Sequence, residues 1–246
     1  GIMAMDYLVF QLQAPLSAWG ETAVGEFRPT ANYPSESALL GLLAAALGIR
    51  REEEEAHAAL RAGYGFAIGV LSSGRLLRDY HTAQVPGRVS LKNRPHNSRR
   101  DELNLPKDEL NTILSTRDYR QDAASVVAIQ MRDGASYALS DIAQALAKPR
   151  FTLYLGRKAC PPALPLNPRI IAAENALSAL QTYRQALAER SGETALALER
   201  MVWGEGIDSG ATHDLEVVRK DRVLSRGHWQ FGDRIEYVAI APQGGQ

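Results

Sequence analysis

The sequence predicts an α+β fold with a ferredoxin-like plan, in which a sheet carries helices on one face. The first 155 residues predict strand, helix, helix, strand, a loosely patterned segment, strand, helix and strand, which is the order of a split βαβ unit. The loosely patterned segment predicts a projecting arm, and the last third predicts a helix and three strands. We therefore expect a domain at 5–155, with an arm at about 78–120, and a glycine turn plus a smaller β-containing C-terminal lobe at 156–246.

The first strand and the two helices after it have clear sequence signals. Residues 6–13 (DYLVFQLQ) alternate between two faces, which predicts a strand. Residues 36–50 (ESALLGLLAAALGIR) predict a buried helix, because they are apolar nearly all round; Ser35 is the expected N-cap and Gly48 the expected C-terminal stop. The glutamates at 52–55 begin a polar helix that runs to about Leu60. Residues 65–71 (GFAIGVL) predict a second buried strand.

The arm is predicted from residues 72–122, where apolar side chains are sparse and prolines recur at positions 86, 95 and 106. A structureless stretch of this length is usually functional or disordered, so we interpret it as a hairpin that orders against a partner, with a short helix near 107–114. Further elements follow: a strand at 124–131, a helix capped by Ser140 and Asp141 and closed by Pro149, an edge strand at 151–155, an alanine-rich helix at 170–190, and strands at 199–203, 214–221 and 234–240.

Basic residues are concentrated in two segments, although the chain balances 28 Lys+Arg against 28 Asp+Glu. Residues 148–169 carry five basic residues and no acidic one, and residues 78–100 carry six against one. Aromatic rings lie among these charges (Tyr80, His81, Tyr119, Phe151 and Tyr154). Cations and rings together suit unpaired nucleotides, so the pattern favours a local polyanion site. Two solvated loops are the alternative.

Several classes of protein are excluded or disfavoured by the sequence. It has no apolar stretch of about 20 residues and no N-terminal signal-peptide pattern. Cys160 is the single cysteine, which excludes an internal disulfide and a thiolate cluster. The histidines (57, 81, 96, 213 and 228) lack metal-ligand spacing, and no phosphate-loop, dinucleotide or nucleophile-elbow motif is present. We expect a cytoplasmic protein without a metal or small-molecule cofactor.

Five segments of the sequence resemble one known family. They are LQAPLSAWG (12–20), FRPTANYPSESALLGLLAAALGIRR (27–51), LRDYHT (77–82), TRDYRQDA (116–123) and KPRFTLYLGRKACPPALPL (148–166). These motifs are similar to those of the CasD subunit family of the type I-E CRISPR Cascade complex, which belongs to the RAMP superfamily. The resemblance covers about residues 5–166. It implies a ferredoxin-like, RNA-recognition-type fold with a thumb-like arm, in agreement with the order of elements.

The resemblance also implies a function and a set of contacts. The protein would be a non-catalytic subunit in antiviral defence that binds and caps the 5′ handle of CRISPR RNA (crRNA), beside the backbone subunit CasC and the large subunit CasA. The glycine turn at 155–158 would hold handle phosphates, because a backbone without a side chain can approach phosphate closely. The expected RNA-binding residues are Trp19, Arg28, Ser37, Arg78, His81, Arg117, Tyr119, Arg120, Lys148, Arg150, Tyr154, Gly156, Arg157 and Lys158.

Other interpretations of these residues stay open. Arg78 and Arg117 each precede an aspartate, so ion pairs at the base of the arm are an alternative. Trp19 and Tyr154 also suit core positions, and Lys148 suits a helix C-terminus. The alternative function is a metal-independent endoribonuclease that processes repeat RNA, with His81, Tyr80 and Lys92 as general base, general acid and cation. A third is an α+β scaffold that binds no RNA.

Overall fold

The computed structural model describes residues 3–15, 33–71, 122–153, 166–192, 197–225 and 230–243. The described residues from 3 to 71 and from 123 to 243 form one compact unit. Its elements in chain order are β1 (Met5–Pro15), α1 (Glu36–Leu47), α2 (Glu54–Gly63), β2 (Tyr64–Leu71), β3 (Asp122–Met131), α3 (Leu139–Ala147), β4 (Arg169–Ala173), α4 (Ala176–Ser191), β5 (Leu198–Gly204), β6 (Leu215–Ser225) and β7 (Gln230–Ile240).

The seven strands of the described chain join one sheet in the order β4-β1-β3-β2-β5-β7-β6. The pairs β1–β4, β2–β3, β2–β5, β5–β7 and β6–β7 are antiparallel. The short strand β4 and the long strand β6 form its two edges, and β6 has register shifts between Arg219 and Arg222 and between Val223 and Ser225. Helices and antiparallel strands thus confirm the α+β class.

The sheet is covered by helices on both faces: the helices within the predicted domain at 5–155 pack on one face, and α4, from the C-terminal segment, covers the other. On one face, Leu8 and Phe10 of β1 pack in a core cluster with Leu42 of α1 and Ile142 of α3. On the other face, Tyr7, Val9, Ala67 and Val126 pack in a second cluster with Leu177, Leu180 and Tyr183 of α4. Apolar residues occupy both alternating sets of β1 positions, so each face requires a covering layer.

Strand β4 lies at Arg169–Ala173, and of the edge strand predicted at 151–155 the described residues 151–153 are not in a strand. The N–H groups of Arg150 and Phe151 instead donate to the carbonyls of Ala46 and Ala45 at the end of α1, 3.1 and 3.0 Å away. Strand β4 is formed by residues that were predicted to make the first turn of the alanine-rich helix. That helix begins at Ala176, because the Asn175 side chain accepts from the N–H of Ser178 at 2.8 Å.

Local capping signals were partly correct. The Ser35 hydroxyl oxygen accepts from the N–H of Ala38 at 3.1 Å, and Gly48 ends α1 with a φ of 78°, as predicted. Helix α3 begins at Leu139 after the N-cap residue Ala138, so Ser140 lies in its first turn and is not the cap. The strands predicted at 6–13, 65–71, 124–131, 199–203, 214–221 and 234–240 are all present.

Two predictions about the wider organisation stay predictions. The arm at about 78–120, with its short helix at 107–114, lies outside the described residues. The division into domains at 5–155 and 156–246 also stays a prediction. Strands from both of these segments pair in the same sheet.

Replacing Leu180 by alanine tests the packing of α4 against the sheet. Leu180 is fully buried, so the change leaves a cavity and should lower the free energy of unfolding by about 2–5 kcal/mol. The control Gln185→Ala, at an exposed position of the same helix, should change it by about 0.5 kcal/mol or less. Urea denaturation measures both. Equal effects of the two substitutions would contradict the packing of α4 on this face.

Candidate nucleic-acid interface

Three of the predicted RNA-binding residues lie in the described part of the chain: Ser37, Lys148 and Arg150. All three are exposed. Ser37 lies in the first turn of α1, whereas Lys148 and Arg150 lie beyond α3, near the other end of α1. The rest fall outside the described residues: Trp19, Arg28, Arg78, His81, Arg117, Tyr119, Arg120, Tyr154, Gly156, Arg157 and Lys158.

Helix α1 separates the described candidates into two places. Gly48 comes eleven positions after Ser37 along the helix, so a rise of about 1.5 Å per residue places these two residues about 16 Å apart. Arg150 is close to the C-terminal end, where its N–H donates to Ala46. The structure therefore brings Lys148 and Arg150 together and places Ser37 elsewhere.

Arg150 lies against the glycine that ends α1. A Cβ atom added at Gly48 would lie 2.9 Å from Cδ and 3.1 Å from Nε of Arg150. Gly48 also adopts a left-handed φ that side chains rarely tolerate. Glycine at this position therefore ends the helix and leaves room for the aliphatic part of Arg150, so that the guanidinium is held near the helix end.

Lys148 is at the C-terminus of a second helix. It is the C-cap residue of α3, and its N–H donates to the carbonyl of Gln144 at 2.9 Å. Carbonyl groups at helix C-termini carry partial negative charge and favour cations. The alternative interpretation of Lys148 as a helix-end cation thus describes its position correctly, and this position leaves the ammonium group exposed to solvent.

An open groove of about 780 Å³ runs beside these two cations. It is formed where the last turn of α1 meets α3 and the chain before and after α3. Its lining residues are Ala46, Leu47, Tyr137, Asp141, Gln144, Ala145, Ala147, Lys148 and Arg150. The groove therefore combines an apolar floor, one ring, one carboxylate, one amide and two cations.

The approach to the N-terminal end of α1 is fixed by a buried polar network that the sequence analysis missed. Tyr33, two residues before the N-cap Ser35, donates its hydroxyl hydrogen to Oε1 of Glu236 on β7. The Glu236 side chain also binds Arg234 at 2.9 Å and Arg219 at 3.4 Å. Tyr33, Arg234 and Glu236 are 6%, 8% and 2% exposed.

Two further contacts complete the surroundings of Tyr33. Nη2 of Arg219 donates to the Tyr33 hydroxyl oxygen at 3.0 Å, and the guanidinium carbon of Arg200 lies 5.6 Å from the centre of the Tyr33 ring. Burial first, and the Glu236 carboxylate second, raise the pKa of Tyr33 to about 12. Arg219 and Arg234 face each other on neighbouring strands, a pairing that the sequence alone does not reveal.

Other polar groups of the described residues serve local structure. Arg132 donates to the carbonyl of Gly206 at 3.2 Å and also to that of Glu205, which holds the turn after β5. His57 contacts the carbonyl of Arg50 at 2.9 Å, and His213 lies 3.0 Å from Glu216. Within the described ranges, no group of three or more metal-ligating side chains is found, and no helix is both long and apolar enough to cross a bilayer.

Comparison with known proteins gives a consistent family. A model of the CRISPR-associated protein family Cas_Cas5 matches residues 7–235. The chain is 35% identical over 241 residues to the CRISPR system Cascade subunit CasD of Escherichia coli strain K12, which covers 95% of each chain. Two solved structures, a Cas protein and a CRISPR RNA-guided surveillance complex, match with TM-scores of 0.48 each, at 22% and 21% identity, over 96% of this chain and 95% and 90% of theirs.

Replacing Tyr33 by phenylalanine tests the buried network. At pH 7 the change removes a donor to Glu236 and an acceptor for Arg219, and should lower the free energy of unfolding by about 1–3 kcal/mol. A tyrosine pKa raised from about 10 to about 12 stabilises the fold below pH 10, and this contribution is lost as pH rises towards 12.

The stability of the wild type relative to Tyr33→Phe should therefore fall by about 2 kcal/mol between pH 10 and pH 12. Urea denaturation of both proteins across this pH range measures the difference. The titration of the other tyrosines contributes equally to both proteins, so it cancels in the difference. A difference that stays constant across this range would contradict the neutral, buried state of Tyr33.

Proposed function

The chain belongs to the Cas5 family of CRISPR-associated proteins, and from this premise we propose that it binds and caps the 5′ handle of crRNA as a non-catalytic Cascade subunit in antiviral defence. The observation that carries the proposal is the similarity to a Cascade subunit CasD along nearly the whole of both chains. The proposed protein partners are the backbone subunit CasC and the large subunit CasA, and the proposed location is the cytoplasm. The proposal includes no metal and no small-molecule cofactor.

We propose a ferredoxin-like, RNA-recognition-type arrangement for the part of the sheet made by β1 to β4. The strand order β4-β1-β3-β2, with antiparallel β1–β4 and β2–β3 pairs, supports it. Helices α1 and α3 lie on the same face of these strands, as a split βαβ plan requires. Strands β5, β7 and β6 extend the sheet beyond β2, and α4 covers the opposite face. The proposed thumb-like arm at about 78–120 leaves the sheet between β2 and β3.

The proposed RNA path begins at Lys148 and Arg150. Both cations are exposed on one side of the sheet, and their positions are fixed by hydrogen bonds to helix ends. Their charges would neutralise phosphates, which position a strand without reading its bases. The remaining proposed contacts are on segments outside the described residues: Trp19 and Arg28 before α1, Arg78, His81, Arg117, Tyr119 and Arg120 at the base of the arm, and Tyr154, Gly156, Arg157 and Lys158 at the glycine turn. Ser37 is proposed as a contact at the far end of α1.

Replacing Lys148 and Arg150 together by glutamine tests the phosphate contacts. Each contact should contribute about 0.7 to the slope of log affinity against log salt on single-stranded RNA, so the slope should fall by about 1.4. The matched control replaces Arg190 and Lys220, two exposed cations elsewhere, by glutamine, which should leave the slope unchanged.

Filter binding of the full chain to a synthetic 5′-handle RNA, from low to high salt, measures these slopes. Melting temperatures should be similar for all three proteins, because the substituted residues are exposed. A wild-type slope in the folded Lys148/Arg150 variant would exclude these residues from the RNA site.

Replacing His81 by alanine separates the binding subunit from the endoribonuclease. A protein that only binds RNA needs no general base, so processing of precursor repeat RNA in a reconstituted system should be unchanged. Gel electrophoresis of the RNA products measures processing, and filter binding measures RNA affinity separately. Loss of cleavage with intact binding would favour the endoribonuclease instead.

A further inference from the structure

We propose that Phe151 is a stacking platform for one unpaired nucleobase, and that the groove beside Lys148 and Arg150 holds that nucleotide. The inference rests on the proposed RNA-binding function and adds a base contact to a site so far described only by its phosphate contacts. Phe151 is 43% exposed. Among the phenylalanine, tyrosine and tryptophan side chains that the structure describes, it is the one that is exposed.

The exposure of Phe151 is built into the fold. Its N–H donates to the carbonyl of Ala45 at 3.0 Å, and the N–H of Arg150 donates to that of Ala46 at 3.1 Å. Ala45 and Ala46 are buried, 7% and 0% exposed, so the backbone beneath the ring is fixed to the core. A ring presented on a fixed backbone loses little conformational entropy when a base covers it, which favours binding.

The charges around the ring favour RNA as its partner. Lys148, Pro149 and Arg150 precede Phe151 directly, so two exposed cations lie within three residues of the ring along the chain. Aromatic stacking flanked by phosphate contacts is the usual way in which proteins hold single-stranded nucleic acid. An apolar protein surface would cover the ring equally well, but it would leave these two cations without phosphate partners.

The groove supplies groups that suit the edge of a base. Asp141, Gln144 and Lys148 occupy positions i, i+3 and i+7 of α3 and its C-cap, which places them along one side of the helix. A carboxylate repels phosphate but accepts hydrogen bonds from the amino group of a base, and an amide can donate and accept. The groove therefore offers cations for phosphate at Lys148 and Arg150 and polar groups for the edge of a base at Gln144 and Asp141, and its volume of about 780 Å³ is that of a small-molecule site.

The test combines protein variants with an abasic scan of the RNA. Phe151→Leu removes the stacking face and keeps an apolar side chain, whereas Phe151→Trp enlarges that face. The control Val218→Ala changes an exposed apolar residue of edge strand β6. Each full-length protein is titrated with the synthetic 5′-handle RNA and with copies that carry one abasic nucleotide each.

We expect Phe151→Leu to weaken binding about five- to a hundredfold without changing the salt slope. Phe151→Trp and Val218→Ala should bind at least about as tightly as the wild type. At one position of the RNA, an abasic nucleotide should weaken the wild type but not Phe151→Leu, because the lost stacking is then already absent.

The possible failures are distinguishable. If the Lys148/Arg150 variant keeps the wild-type salt slope, the proposed phosphate site is wrong. If the salt slope of the Lys148/Arg150 variant falls but Phe151→Leu binds RNA like the wild type, the stacking inference is overturned. It is also overturned if the effect of Phe151→Leu adds to the effect of an abasic nucleotide at every position of the RNA. Wild-type RNA affinity of Phe151→Leu with weakened assembly into a reconstituted complex would assign the ring to a protein partner, and would also overturn it.

Discussion

The burial of β1 on both faces is the constraint on which the rest of the structure depends. Its alternating side chains enter two separate clusters, one with α1 and α3 and the other with α4. A strand that is apolar on both sides must lie inside the sheet, and β4 and β3 flank it accordingly. The position of α1 on one face follows from this, and with it the position of the groove where α1 ends beside α3.

Helix α1 is held at each end by a different kind of interaction. At its N-terminal end, the carboxylate of Glu236 links Tyr33 to two arginines of the extended sheet. Buried ion pairs recover little net stability, but they tolerate few alternative arrangements, which suits a fixed chain path into the helix. At its C-terminal end, Gly48 and the chain at Arg150 fit together by shape and by backbone hydrogen bonds. The exposed cations and ring are thereby attached to the end of a helix whose inner side is buried in a core cluster.

Features that depend on residues close together in the sequence were predicted, whereas features that depend on residues far apart in the sequence were not. Ser35 and Gly48 were identified correctly because a cap depends on the residues within one turn. Strand β4 was missed because its five residues adjoin an alanine-rich helix and are defined by pairing with β1 far away in the chain. Lys148 and Arg150 are predicted RNA contacts from local charge and from the family resemblance, whereas the groove beside them requires the packing of α1 against α3. The Tyr33–Glu236 bond joins residues 203 positions apart, which no local pattern indicates.

The two register shifts in β6 bear on how the free chain avoids self-association. A long edge strand with exposed apolar residues offers unpaired backbone groups to any other extended chain, and Leu215 and Val218 are 52% and 61% exposed. The shifts after Arg219 and Val223 interrupt the regular ladder, so an added strand would find straight pairing only over the first five residues of the edge. Bulges here thus limit edge-to-edge pairing between the sheets of two molecules.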